Sequence, residues 1–358
     1  MINVTKTYLP PIEEYTRYLN KIWVTNQVTN NGPLVLELEE KLKKYLRVKH
    51  LFLTSNGTIA LQIAIKALGL TKEIITTPFS YVATTTSVLW ENCKPVFVDI
   101  DPATFCINPL LIEEKITPNT EAILATHVYG IPCAIEKIEE IARKNNLKVI
   151  YDAAHAFGTE YNNKSLASYG DISTLSFHAT KLFHTIEGGA IITEDDSLAR
   201  QIGLYRSFGH IYDDYFSIGI NGKNSEFHAA MGLCLLNKVP EFIEKRKEIT
   251  KSYDALLSDL KLAKPIAQGN TLYNYSYYAV AFKSEEDLLR VKNELGKSDI
   301  FPRRYFYPSL NELPYLERTT CKISENYSRR VLCLPSYHEL QQDTIELVAS
   351  IINNTLKN

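Results

Sequence analysis

Long apolar runs are missing from this sequence. No stretch approaches the roughly 18 apolar residues that would read as a membrane span, and the opening MINVTKTYLPP lacks the charged-then-apolar order of a secretory leader. Charge of one sign is missing as well, since 39 lysines and arginines face 41 aspartates and glutamates, a net −2. So balanced a chain has no basic stripe for nucleic acid and no acidic tail, and a nucleic-acid partner is not expected. Cysteine is sparse: the six, at 93, 106, 133, 234, 321 and 333, form no CxxC and no Cys/His group. That spacing excludes a disulfide framework and gives no zinc site. A cytoplasmic protein without metal or membrane attachment is the expectation.

What the sequence does hold is alternation. Apolar runs at 51–53, 74–76, 95–98, 122–126, 147–152, 172–177 and 189–193 read as about seven strands. Helical periodicity falls between them at 59–68, 80–90, 109–116 and 134–146, and a further helix starts at Pro33. Residues 1–33 read as mixed and irregular, ending in a loop at Thr29–Pro33. Strands alternating with helices imply an α/β fold whose mainly parallel sheet is covered on both faces. Near residue 240 the character shifts to a long charged helix, a strand at 277–282, a helix at 284–295 and a final helix at 339–354. A large domain, 1–240, and a smaller C-terminal α/β domain, 241–358, are expected.

In such a sheet, ligands lie beyond the carboxyl ends of the strands. Three groups of residues fall there. Lys181 is expected in an exposed polar loop between two strands, where burial or nearby positive charge would fit its amine for Schiff-base chemistry with an aldehyde. Gly188 and Gly189 after it are expected to form a tight turn and admit close backbone approach. Asp152 ends an apolar strand, where a half-buried carboxylate needs a cationic or hydrogen-bonded partner or serves as a helix cap. Gly57 and Thr58 open a helix, where free N–H groups and the dipole would receive a phosphate, unless Asn56 or Thr58 merely caps it.

These residues sit within stretches such as SNGTIALQIAIKALGL, TPFSYVATTTSVLW, THVYGIPC, VIYDAAHAFGTEY, GDISTLSFHATK and EGGAIIT. In their order and spacing the chain resembles the DegT/DnrJ/EryC1/StrS sugar-nucleotide aminotransferases, fold-type I enzymes that use pyridoxal 5'-phosphate (PLP). The resemblance implies that Lys181 is the Schiff-base lysine and proton shuttle, and that Asp152 keeps the pyridine nitrogen protonated. It places His155 beside the ring, Tyr81 stacked on it, and Gly57, Thr58 and Ser176 on the phosphate. Asn221, in Gly219-Ile220-Asn221-Gly222-Lys223, would reach the phosphate of a neighbouring subunit, although Gly222 and Lys223 replace the Tyr and Arg of the family pattern. A homodimer with shared sites follows from that position. A dehydratase of the same fold would carry His where Lys181 stands, and a cofactor-binding regulator would not need Lys181, Asp152 and Ser176 intact.

The segments RRYFYPSLNELPYL and FGHIYDDYFSIGINGKNSEFHAAMGLC are most similar to the subgroup that aminates C4 of dTDP-4-keto-6-deoxyglucose. Those enzymes use glutamate as donor, for O-antigen and related lipopolysaccharide sugars. Amination at C3 of a 3-keto-6-deoxyhexose on the same scaffold stays open. Arg303 and Arg304 are candidate contacts for the sugar phosphates.

Overall fold

The computed structural model describes residues 1–357. Seven strands form the central sheet: β1 (His50–Thr54), β2 (Glu73–Thr76), β3 (Lys94–Phe97), β4 (Thr120–Thr126), β5 (Lys148–Asp152), β6 (Ile172–Ser176) and β7 (Gly189–Thr193). Their order is β1-β7-β6-β5-β4-β2-β3. Strand β7 runs antiparallel to both its neighbours, and every other pairing is parallel. Both faces are covered, as a mainly parallel sheet requires. Because side chains alternate along a strand, Ile75, Ile123, Val149, Tyr151 and Ile192 enter one core while Ile74, Leu124, Ile150 and Ile191 enter the other. The seven-stranded expectation holds. Among the described residues no helix is long and apolar enough to cross a membrane.

The helices are α1 (Ile12–Thr25), α2 (Pro33–Leu46), α3 (Gly57–Ala67), α4 (Val82–Trp90), α5 (Ile135–Lys144), α6 (Asp196–Arg206), α7 (Glu226–Leu235), α8 (Val239–Leu256), α9 (Glu285–Lys297), α10 (Lys322–Arg330) and α11 (Gln342–Lys357). A separate core draws Tyr253 of α8, Val291 of α9 and Val348 of α11 onto the antiparallel pair β8 (Tyr278–Ala281) and β9 (Val331–Leu334). The first residues of the chain join that end of the molecule, Ile2–Asn3 pairing in parallel with Ile300–Phe301.

Several expectations need correction. Residues 12–25 form α1, a helix not expected from the mixed, Pro- and Asn-containing composition of residues 1–33. Only Ile22 of that helix is buried, so its apolar signal is thin. The helix expected at 109–116 is two short 3-10 turns, and α10 with β9 went unrecognised because nine polar-rich residues precede a four-residue strand. The last helix starts at 342.

Helices α2 and α7 pack closely. A Cβ on Gly232 would lie 2.6 Å from Leu38 Cδ2, so a larger residue would force the leucine to shift. Helix α2 has no cap from its own Gly32, and Glu226 at the start of α7 supplies one instead. Its buried carboxylate accepts the N–H groups of Leu34 and Val35, each at 2.8 Å. Glu226→Ala would strand two buried donors, a loss of about 1–3 kcal/mol each at most. A clear drop in thermal midpoint is expected, with Glu226→Gln falling between; an unchanged midpoint in Glu226→Ala would show that the cap carries no stability.

Candidate active site

The parallel strands bring Thr54, Thr126, Asp152 and Ser176 to one edge of the sheet, and β7 begins there at Gly189, opposite Thr54 and Ser176. Above that edge lies a cleft of about 270 Å³, lined by sheet-edge residues and by Tyr277, Arg303, Tyr305 and Phe306 from the C-terminal part. Of the residues singled out from sequence, Gly57, Thr58, Tyr81, Asp152, His155, Ser176, Lys181 and Arg303 line it. Arg304 does not, because its guanidinium bonds Glu285 at 2.7 Å and lies 3.5 Å from the Tyr307 ring. Asn221 is exposed and lies outside this chain's own cleft.

Lys181 is not on an exposed loop. Leu182, Phe183, His184 and Thr185 behind it are buried, and Phe183 stacks on Phe157 at 4.6 Å and meets Phe177 edge-on at 5.0 Å. These rings fix the loop from below, while backbone bonds from Phe177 to Gly188 and from Thr185 to Phe177 close it. The N-terminal arm holds it from outside: Thr7 Oγ1 donates to Ala179 O, and His184 Nε2 lies 2.8 Å from Tyr8 O. The Gly188-Gly189 pair is also not a left-handed turn. The positive φ falls on Ile186, at 67°. The two glycines are required by crowding, since a Cβ on Gly189 would lie 2.7 Å from the Asn56 carbonyl and one on Gly188 2.0 Å from Thr185 Oγ1.

The Lys181 amine donates to Tyr277 OH at 3.5 Å. Burial pushes its pKa down, opposed by the charge of Asp152. A larger fraction is therefore the free, nucleophilic amine.

Asp152 is fully buried rather than half-buried, at 4% exposure. No helix follows it, so a helix cap is ruled out; its Oδ1 accepts the N–H of Ala154 at 3.1 Å within a turn. Its Oδ2 accepts from Thr84 Oγ1 at 2.7 Å. Thr84 in turn lies 2.7 Å from Ser80 Oγ, which accepts from Thr126 Oγ1 at 3.1 Å. Burial raises the Asp152 pKa, and the Thr84 bond, the Ala154 N–H and the Lys181 charge hold it back. Both hydrogen bonds come from neutral donors. A buried carboxylate so placed lacks a cationic partner and fits a protonated ring nitrogen.

His155 is buried and stacks on Phe306, centroids 5.6 Å apart with planes at 5°. Its Nδ1 accepts from the Tyr129 N–H at 3.2 Å, which leaves Nε2 as the donor. Burial, and then the Lys181 charge, push its pKa well below the usual range, so the imidazole is neutral. The carbonyl of His155 is pinned by Asn274 and Ser276 at 2.7 and 2.8 Å. Gly130, at φ +89°, lets the chain pass this carbonyl, which a Cβ would meet at 2.6 Å.

At the start of α3, Asn56 Oδ1 accepts the Ile59 N–H at 2.9 Å, so the capping alternative is correct for that residue. The N–H groups of Gly57 and Thr58 find no acceptor among the described residues. A Cβ on Gly57 would stand 3.0 Å from Ser176 Cβ, so helix start and strand end form a tight cradle beside the Ser176 hydroxyl. Free N–H groups at a helix start, a hydroxyl, a buried carboxylate and a depressed lysine fit a phosphorylated pyridine aldehyde.

The sequence reading missed Ser80, Thr84, Thr126, Tyr277, Tyr305 and Phe306. One signal was available: Thr84, Thr85 and Thr86 stand in succession inside a helix, against propensity, and two of the three are buried. Nothing local marks Tyr277 or Phe306, which the fold brings in from the C-terminal part of the chain to pack against the core beneath the sheet.

Thr84 gives a direct test. Its bond favours the charged form of Asp152, so Thr84→Val raises that pKa further. A reaction that needs the carboxylate ionised loses rate as pH falls through this pKa. The acid limb of the pH–rate profile is therefore expected to move to higher pH in Thr84→Val and to return with Thr84→Ser. A limb that stays in place would mean that Asp152 does not set it.

Comparison with known proteins extends the same reading over the whole chain. The Shigella dysenteriae protein named dTDP-4-amino-4,6-dideoxy-D-glucose transaminase is 45% identical over 359 residues, covering 98% of each chain. An Escherichia coli protein of the same name is 39% identical over 364 residues, again covering 98% of each. The crystal structure of DesI with its TDP-sugar product superposes with a TM-score of 0.93 at 32% identity, covering 99% of this chain and 92% of that one. Residues 11–353 match the family described as DegT/DnrJ/EryC1/StrS aminotransferases. The chain belongs to that family of PLP-dependent enzymes and is a sugar-nucleotide aminotransferase.

Proposed function

We propose that this protein moves the amino group of glutamate to C4 of dTDP-4-keto-6-deoxyglucose, releasing 2-oxoglutarate and the dTDP-linked 4-amino-4,6-dideoxy sugar. The observation that carries the reading is the buried Asp152 carboxylate, held by neutral donors beside a lysine whose pKa is depressed. The substrate is supported by the 45% and 39% identical relatives, both named for that product. A place in the assembly of O-antigen or related surface sugars, in the cytoplasm, follows from the same reading.

PLP, when bound, supplies an electron sink that makes the C–H bond beside the transferred nitrogen acidic. Lys181 would hold it through Nζ. Once released as the free amine, Lys181 would act as general base and then general acid, moving a proton from the donor's α-carbon to the cofactor carbon in one half and from that carbon to the sugar's C4 in the other. Tyr277 OH, at 3.5 Å, keeps that amine at the cleft floor. Asp152 keeps the ring nitrogen protonated, and Thr84 and Ala154 keep Asp152 charged and still. Neutral His155 and Tyr81, the latter 58% exposed, both line the cleft and would flank the ring. Gly57, Thr58 and Ser176 take the phosphate, so the ring holds its place when the covalent link is exchanged.

The active unit is a homodimer with shared sites. Asn221 stands clear of its own cleft, on a segment whose Phe208, Ile211, Tyr212, Tyr215, Phe216 and Ile218 are all exposed. So much apolar surface on one short flap suits a subunit interface. Residues 1–240 and 241–358 act as two domains, the second carrying Tyr277, Tyr305 and Phe306 to the cleft.

Two measurements test this. Borohydride reduction followed by peptide mapping is expected to fix the cofactor's mass on Lys181. Its appearance on another lysine would remove Lys181 from this role. Offered 4-keto and 3-keto dTDP-6-deoxy sugars with glutamate, the enzyme is expected to place nitrogen at C4, located by NMR. Amination confined to C3 would defeat the substrate assignment while leaving the transferase.

A further inference from the structure

We propose that Arg303 is the anion receptor for both halves of the reaction: it takes the α-carboxylate of the amino donor in one half and the diphosphate of the nucleotide-sugar in the other. This rests on the transamination reading above. Both substrates are anions, and both must bring their reacting carbon to the same cofactor atom. They therefore occupy the same cleft in turn.

The supply of positive charge there is small. Of the residues lining the cleft, Lys181 and Arg303 are the lysine and the arginine, and Lys181 is engaged with the cofactor. The imidazole of His155 is held neutral by burial, and that of His178 faces the Glu187 carboxylate at 3.5 Å. The free N–H groups of α3 serve the cofactor's phosphate. Arg303 is the cation left without a partner in this lining.

It lines the cleft and its side chain is free, whereas several other arginines are engaged. The Arg303 guanidinium has no carboxylate or carbonyl partner among the described residues and rests 5.6 Å from the Tyr305 ring. Arg304 next to it is taken up by Glu285 and the Arg329 carbonyl, Arg206 by Glu39, Arg246 by the Ser276 carbonyl and Arg330 by the Phe282 carbonyl. The Arg303 backbone is nevertheless fixed: its N–H donates to Cys333 O at 3.1 Å and its carbonyl accepts from Cys333 N at 2.8 Å, and Cys333 lies fully buried in β9. A rigid base, a free planar fork and an aromatic rest make a preorganised receptor. The fork geometry suits carboxylate and phosphate alike, which explains how one residue serves two ligands.

One cation shared by two anions makes them mutually exclusive. In calorimetric titrations of the PLP-loaded enzyme, dTDP and 2-oxoglutarate are each expected to bind and each to displace the other. Arg303→Gln is expected to weaken both by about tenfold or more, the loss typical of a charge-assisted contact, with Arg303→Lys in between. In turnover, KM for glutamate and KM for the keto-sugar should rise together while kcat moves less. Arg304→Gln, outside the cleft, should leave both affinities in place. Loss of only one ligand in Arg303→Gln, loss of neither, or simultaneous binding of both to the wild type would overturn the proposal. Unchanged KM values in an Arg303→Gln enzyme that still transaminates would remove the receptor and leave the function standing. Competing anions on a wild type that aminates no keto-sugar would support the receptor and remove the function.

Discussion

A carboxylate buried without a cation is the constraint on which this structure turns. Asp152 stands at the end of β5, inside the central sheet, where desolvation opposes its charge. Two neutral donors favour its charged form, and one of them, Thr84, belongs to a file of hydroxyls running through Ser80 to Thr126. Such an arrangement is stable only while every member is satisfied. It also dictates the neighbours. A second fixed cation beside Asp152 would satisfy it permanently and close the place meant for the ring nitrogen. His155 is accordingly neutral, and Lys181 is shifted toward its uncharged form.

The cleft is built from both halves of the chain. The sheet edge supplies the lysine, the carboxylate and the helix start, while Tyr277, Tyr305 and Phe306, from the C-terminal part, close it and pack with the core beneath the sheet. The join is specific. Asn274 and Ser276 bond the His155 carbonyl, and Tyr129 OH donates to the Tyr305 carbonyl. Asp99, just beyond β3, accepts the N–H groups of Ile323 and Ser324 at the start of α10, each at 2.8 Å. Movement of the C-terminal part against the sheet would reach the catalytic atoms directly, which accounts for so many side chain to backbone bonds along this seam.

Much of this was legible in the sequence where the signal is local. Seven apolar runs with helices between them fixed the sheet, and placing their carboxyl ends together brought Gly57, Asp152, Ser176 and Lys181 to one edge before any coordinates. Local reasoning failed where burial comes from elsewhere in the chain. The loop after Ser176 looked polar and exposed, yet Phe157 packs beneath it and the N-terminal arm lies over it. Glycines at 188 and 189 suggested a turn, whereas the crowding that requires them comes from Asn56 and Thr185. Arg303 and Arg304 are indistinguishable in sequence, and only the position of Glu285 separates the free one from the engaged one. Tyr277 and Phe306 carry no mark that distinguishes a cleft wall from a core.

The N-terminal arm has a consequence for how the molecule is made. Its first strand, Ile2–Asn3, finds its partner only at Ile300–Phe301, and Thr7 and Tyr8 brace the loop that carries Lys181. The segment around Ile2 therefore has to wait until residues near 300 have been made before it can settle. Pairings so distant in sequence form late and slowly. A nascent chain can complete its sheet and already hold Asp152 and Ser176 in place, but the arm that braces the lysine loop is anchored only once Ile300 and Phe301 are present. Competence to hold a reactive aldehyde is thus tied to a strand pairing about 300 residues away, and a chain that stops short of it is left with the lysine loop unbraced.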